Sequence, residues 1–232
     1  MILTDAPQRA LAVFAHPDDP EVACAGTLAA WVAAGCEAHL VIANSGDKGS
    51  SDPSCDPDAL AAVRLEEARH ASDVLGLASM VSLACPDGEL ENTVEFRRQL
   101  IGLIRTHRPD VVIAPDPTAV YFGNSYVNHH DHRALGWAVL DVSGSMAGGA
   151  LYEPDTGAAH QMSSLLLAGT LEPDTWVDIG ATIGKKLDAL RCHASQLHDG
   201  DEVVAALVEA RAADAGKAAG VRYAEGFRRL AF

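Results

Sequence analysis

Leu11-Ala12-Val13-Phe14-Ala15-His16-Pro17-Asp18-Asp19-Pro20-Glu21 decides the fold. Five apolar residues read as a buried strand. A histidine and two aspartates follow at once, and Val22, Ala25, Leu28, Ala29 and Val32 then recur at helical spacing up to Gly35. A strand, a polar turn and a helix place His16, Asp18 and Asp19 at a strand's carboxyl end, which is where open α/β sheets build their sites.

The same alternation continues outward. Ala38–Ala43, Met80–Cys85 and Asp110–Ala114 read as further strands, with helices predicted over Ala59–Leu75 and Thr93–His107. The strands end at Asn44-Ser45-Gly46-Asp47, Pro86-Asp87-Gly88 and Pro115-Asp116-Pro117. Strands alternating with helices predict a mostly parallel sheet with right-handed crossovers, an α/β, Rossmann-like three-layer sandwich. In such a sheet those loops open on one edge. Further on, the pattern predicts strands at Leu165–Ala168 and Trp176–Ile179, and helices at Glu21–Ala34, Ala181–Ala194 and Glu202–Ala215. Arg222–Phe232 reads as a mixed tail. Without repeats or a clear linker, residues 1–232 are expected to form one domain.

His129-His130-Asp131-His132, more than a hundred residues after His16, precedes a helix expected to start near Asp131 or His132. The two clusters offer enough imidazole and carboxylate to hold one divalent cation and leave a base over. These are ligands that Zn²⁺ accepts, and a catalytic zinc site keeps one position open for water. Asp19-Pro20-Glu21 also reads as a helix start with Asp19 as N-cap, so either aspartate could ligate while its neighbour accepts a proton. If side chains alternate, His129 and His132 face the cleft and Asp131 orients an imidazole. His130 is better read as a solvated loop residue. The long loop Asp116–Asn128 is of a length that often carries function.

Composition narrows the classes. A hydrophobic fraction of 48% with 21% charged residues describes a globular protein with ample core. A net charge of −15 argues against nucleic acid as a partner. The five scattered cysteines contain no C-x-x-C pair, so no disulfide framework and a cytoplasmic setting are expected. No signal peptide and no membrane span are read from the chain. The turn after the first strand lacks G-x-G-x-x-G, and two carboxylates there would repel a pyrophosphate. The G-x-S-x-G elbow of serine hydrolases is also missing. A two-metal phosphoesterase would need more bridging carboxylates than these loops supply.

Ala15-His16-Pro17-Asp18-Asp19-Pro20-Glu21 with Ala25-Gly26-Thr27-Leu28-Ala29 resembles the opening of the LmbE-like, or PIG-L, zinc-dependent N-deacetylases. His129-His130-Asp131-His132-Arg133 resembles the second motif of that family, with His130 in place of a proline. Gly46-Asp47-Lys48-Gly49, Arg64, Glu67, Asp87-Gly88, Lys186 and His193-Ala194-Ser195-Gln196 add weaker matches along nearly the whole chain. The resemblance implies removal of an acetyl group from an N-acetylated amino sugar or its conjugate. The alternatives are a non-sugar amide as substrate, or a non-catalytic binding module on the same fold. It also implies His16, Asp19 and His132 as ligands of Zn²⁺, or of another divalent ion such as Fe²⁺. Asp18 would be the general base, and His129, held by Asp131, would stabilise the oxyanion or protonate the leaving amine. Arg64 and Asp87 would grip sugar hydroxyls. Homo-oligomers are common in the family, and Leu165-Leu166-Leu167 is expected to offer surface for one.

Overall fold

The computed structural model describes residues 1–197 and 201–232. In chain order the elements are β1 (Arg9–Phe14), α1 (Asp19–Ala23), α2 (Ala25–Ala33), β2 (Glu37–Asn44), α3 (Pro57–Leu75), β3 (Ser79–Cys85), α4 (Val94–His107) and β4 (Val111–Pro115). A short hairpin of β5 (Tyr121–Phe122) and β6 (Tyr126–Val127) follows, then α5 (His130–Asp141). After a π-helical turn at Val142–Met146 come β7 (Ser164–Ala168), β8 (Thr175–Asp178), α6 (Ile183–Arg191), α7 (Ala194–Leu197), α8 (Asp201–Ala219) and β9 (Ala224–Ala231).

Among the described residues, seven strands make one sheet in the order β3-β2-β1-β4-β7-β9-β8. The five from β3 to β7 are parallel, and β9 runs antiparallel between β7 and β8. Alternation along β1 sends Leu11 and Val13 to one face, with Phe96, Leu100 and Leu135 of α4 and α5. Ala10, Ala12 and Phe14 point to the other face, with Leu28 and Trp31 of α2 and Ala212 of α8. Both faces are therefore covered, which gives three layers. The chain steps outward from β1 through β2 to β3, then returns to β4 on the other side of β1. That reversal opens a crevice beyond the carboxyl ends of β1 and β4.

Three expectations need correction. The helix predicted over Glu21–Ala34 is two helices, broken at Cys24 (φ −150°). Glu225 on β9 causes the break to be useful: its carboxylate accepts the Gly26 and Thr27 N–H groups at 3.0 and 2.7 Å, capping α2. Lys186 donates to the same carboxylate at 2.6 Å and to the Val22 carbonyl at 2.9 Å. The mixed tail is the strand β9, whose alternation is blurred by Arg228 and Arg229 but whose Phe227 is fully buried. Leu165, Leu166 and Leu167 lie inside the sheet and present no surface for association. No helix among the described residues is long and apolar enough to cross a membrane.

Candidate metal centre

β1 delivers His16 and its neighbours to the crevice, and the turn after it is closed by backbone. The His16 N–H donates to Asp19 Oδ2 at 2.8 Å, and the Asp19 N–H to the His16 carbonyl at 3.3 Å. Asp19 is thus the first residue of α1 rather than its N-cap; Asp18 occupies the cap position without a side-chain bond. The other half of the site comes from the start of α5. His129 is the N-cap there, its Nδ1 accepting the Asp131 N–H at 3.2 Å, and His132 lies one turn in.

Three side chains from these two segments converge. His16 Nδ1 lies 3.1 Å from His132 Nε2 and 3.4 Å from Asp19 Oδ2, while His132 Nε2 lies 3.0 Å from Asp19 Oδ1. Ligand bonds of about 2.0–2.1 Å in a tetrahedron imply donor separations of about 3.3 Å. The triangle therefore has the size that a zinc-like cation requires, and two imidazoles with one carboxylate are donors it accepts. Each ring is held from behind. His16 Nε2 faces Asp87 Oδ1 at 3.1 Å, and His132 Nδ1 faces Asn128 Oδ1 at 2.9 Å. Asn128 is itself fixed by donating to the Ala119 carbonyl at 2.8 Å. Such partners set which ring nitrogen carries the proton and leave the other free for a cation.

His16, Asp87, His129 and Asp131 form a second group of possible donors. It is the poorer one. The fully buried Asp131 carboxylate already accepts N–H groups from Gly88 at 2.7 Å and Leu90 at 3.2 Å, and from the Asn44 side chain. Its distance to His129 Nδ1 is 3.7 Å, so it braces the loop after β3 and holds His129 through its backbone N–H. His130 lies outside the cluster, its Nε2 against the Leu90 carbonyl at 3.0 Å.

The electrostatics ask for a positive charge. Burial works against the charged form of His16, but hydrogen bonds and charges of Asp19 and Asp87 outweigh it and raise its pKa from 6.5 to about 10. Burial opposes the ionisation of Asp19, yet His132 and His16 hold its carboxyl well below the usual range. The His16 hydrogen bond is the main cause of the lowered pKa of Asp87. A raised folded-state pKa stabilises fully below the unfolded value of 6.5 and loses that stabilisation as pH climbs through about 10. Metal-free protein is therefore expected to lose melting temperature between those two values. A bound divalent cation takes the place of the proton and flattens the curve. Thermal melts with and without chelator check this, and a flat profile for chelated protein contradicts it.

Beside the triangle opens a cleft of about 790 Å³, lined by Asp18, Asp19, His132, Phe122, Tyr126 and Arg211 among others. That is within the range of small-molecule sites. Asp18 reaches it with a side chain 31% exposed and is held by Arg64, whose Nη2 is 3.1 Å from Oδ1. Arg64 is only 3% exposed, so the pairing with Asp18 is buried on its arginine side. Asp87, also buried, faces His16 Nε2 and, at 4.0 Å, His129 Nε2. All eight residues singled out from the sequence thus lie together. Asn128 and Asn44 were missed, because a single asparagine carries no pattern; adjacency to the second histidine cluster is the signal that could have found Asn128.

Comparison with known proteins shows the family. Residues 11–143 match the PIG-L family, described as GlcNAc-PI de-N-acetylase. The chain is 31% identical over 226 residues to the diacetylchitobiose deacetylase of Thermococcus kodakarensis, covering 95% of this chain and 82% of that one. It is 29% identical over 253 residues to a 1D-myo-inositol 2-acetamido-2-deoxy-alpha-D-glucopyranoside deacetylase of Kineococcus radiotolerans, covering 83% and 70%. Among solved structures, the N,N'-diacetylchitobiose deacetylase of Pyrococcus horikoshii superposes with a TM-score of 0.88 at 29% identity, covering 97% of this chain and 84% of that one. On the family match and on the likeness to the Thermococcus enzyme over 95% of this chain, the chain belongs to the PIG-L deacetylase family.

Proposed function

We propose that the protein is a zinc-dependent N-deacetylase that hydrolyses the acetamido group of an N-acetylated amino sugar or its conjugate. The observation that carries this reading is the His16–Asp19–His132 triangle, with Asp18 beside it on the wall of an open cleft. The deacetylase activities of the relatives named above support the acetyl-sugar preference.

A divalent cation, if held by His16, Asp19 and His132, would supply a water of lowered pKa and would polarise an acyl oxygen. The remaining work falls to the chain. Asp18, exposed to the cleft, accepts the proton of the attacking water and returns it to the amine nitrogen as the C–N bond breaks. His129 uses Nδ1 to accept the Asp131 N–H, so its Nε2 carries the hydrogen and donates to the acyl oxygen as negative charge builds there. Asp87 and Asn128 keep the ligating nitrogens of His16 and His132 free of protons. Phe122 and Tyr126 on the β5–β6 hairpin give the cleft a partly aromatic wall against which a sugar face can lie.

The test is a panel of N-acetylated sugars, including N-acetylglucosamine oligomers and glycosides, incubated with zinc-loaded and with chelated protein. Free amine and acetate in equal amounts, lost on chelation and regained with Zn²⁺, is the expected result. Release of amine only from amides that carry no sugar would remove the sugar assignment. No amide hydrolysis by metal-loaded protein would remove the hydrolase assignment as well.

A further inference from the structure

All but one of the charged side chains that line the cleft are engaged within the protein. Asp18 is held by Arg64, and Asp19 faces His132. Asp116 accepts the N–H and the hydroxyl of Thr118 at 2.8 and 2.6 Å, and Glu225 pairs with Lys186 at 2.6 Å. Arg211 of α8 is the exception. Its side chain is exposed and has no ion-pair partner among the described residues. The acid one turn along its own helix, Asp214, is taken by Lys217 at 2.8 Å, and Glu209 accepts the Tyr223 hydroxyl at 2.7 Å. Val208, Ala212 and Ala215 line the cleft from the same face of α8, so this guanidinium is the only charge that the helix presents there. Tyr126 on the hairpin connects it to the triangle. Burial raises the pKa of the Tyr126 hydroxyl, the negative charge of Asp19 adds to the rise, and the positive charge of Arg211 opposes it. One hydroxyl thus lies within electrostatic reach of both.

We infer that Arg211 selects substrates whose acetamido sugar is attached to a group carrying an oxyanion, a carboxylate or a phosphate, which the guanidinium binds. This rests on the deacetylase reading and narrows its substrate class. An arginine keeps its charge and moves no proton at neutral pH, so its use in a cleft is recognition. Its planar fork of donors fits carboxylate and phosphate oxygens two at a time. A neutral hydroxyl would gain one ordinary hydrogen bond there, whereas an oxyanion gains the charge as well. The cleft has the room: its volume of about 790 Å³ lies in the upper part of the range for small-molecule sites and exceeds what one sugar ring fills. Its charges also give a direction. Asp18 and Asp19 repel an anion from the end where the acetamido group reacts, and Arg211 lies beyond ion-pair reach of both. A substrate with its acetamido group at the triangle and its anion against α8 satisfies both ends.

The experiment uses three N-acetylglucosamine glycosides of matched length whose attached groups end in an amide, a carboxylate and a phosphate. On zinc-loaded protein, kcat/KM for a charged glycoside is expected to exceed that for the amide about 10-fold, the low end for hydrogen bonds to a charged group. Whichever charged glycoside gains more tells a carboxylate site from a phosphate site. In Arg211→Gln the ratio of charged to neutral should fall to about one, and in Arg211→Glu below one. High salt should shrink the wild-type ratio, because the pair stays in contact with solvent. No preference in wild type, or a preference that both variants keep, would overturn the inference. A second arm needs no hydrolysis: glucosides with the same three end groups, which lack the acetamido group, are titrated into zinc-loaded wild type and Arg211→Gln. Tighter binding of a charged glucoside by wild type alone supports the inference; equal binding of all three by wild type, or the same preference in the variant, overturns it. If no glycoside is hydrolysed while the binding preference still depends on Arg211, the deacetylase reading fails and the assignment of Arg211 to an oxyanion stands.

Discussion

Asp18→Asn is expected to keep one equivalent of metal and lose about 10²–10⁴-fold in turnover, the range for removing a general base. The amide has the shape of the carboxylate and can still accept one hydrogen bond from Arg64 Nη2, so the local structure survives. It cannot accept the proton of water at neutral pH. Metal analysis beside amine release checks this. Near wild-type turnover in the metal-loaded variant would exclude Asp18 as base and point to a deeper carboxylate such as Asp87, 4.0 Å from His129 Nε2.

His132→Ala is expected to have the second large effect, through a different quantity. It removes one of three donors and also strands the Asn128 side chain that now faces Nδ1. Metal content should fall from about one per chain towards none in dialysed protein, and activity should fall with it. Asn128→Ala leaves all three donors in place and only frees the ring. A loss of about 10–100-fold in metal affinity is the usual scale for such outer partners. Equal metal content in wild type and His132→Ala would take His132 out of the site; no change at all in Asn128→Ala would make that asparagine a loop brace only.

Much of this arrangement was legible before any coordinates. β1 to β4 announce themselves because each is a short apolar run ended by Asp, Gly or His, and their parallel order brings the loops to one edge. The break at Cys24 was not legible, since the carboxylate that caps α2 is Glu225, about two hundred residues away. Helical periodicity runs straight through such a break because it records only which side is apolar. β9 was missed for a related reason: Arg228 and Arg229 stand where a buried strand would show apolar residues, and Arg228 pairs with exposed Glu172.

At the site, residue types were readable and their division of labour was not. His16 and His132 could be paired by reasoning about loops, but sequence says nothing about which ring nitrogen faces which carboxylate. Asp131 reads as the natural support for a neighbouring histidine, yet three N–H groups claim its carboxylate. Several distant matches to the family turn out to hold the scaffold. Lys186 bridges Glu225 and the Val22 carbonyl, and Glu67 accepts both the N–H and the hydroxyl of Ser195 at 2.7 Å. Glu21 and His193 face each other at 3.2 Å in the interior behind α1. The Lys186 and His193 contacts hold α1, and with it Asp19, against α6 and the turn after it, while Glu67 ties α3 to α7.

The position of the metal tests the account most directly, because two groups of donors share His16. Crystals of zinc-loaded protein measured on both sides of the zinc absorption edge would locate it. The account predicts one anomalous peak per chain, bonded to His16 Nδ1, Asp19 and His132 Nε2 and open towards Asp18. A peak on the far side of His16, bonded to Nε2 with Asp87, His129 and Asp131, would contradict it.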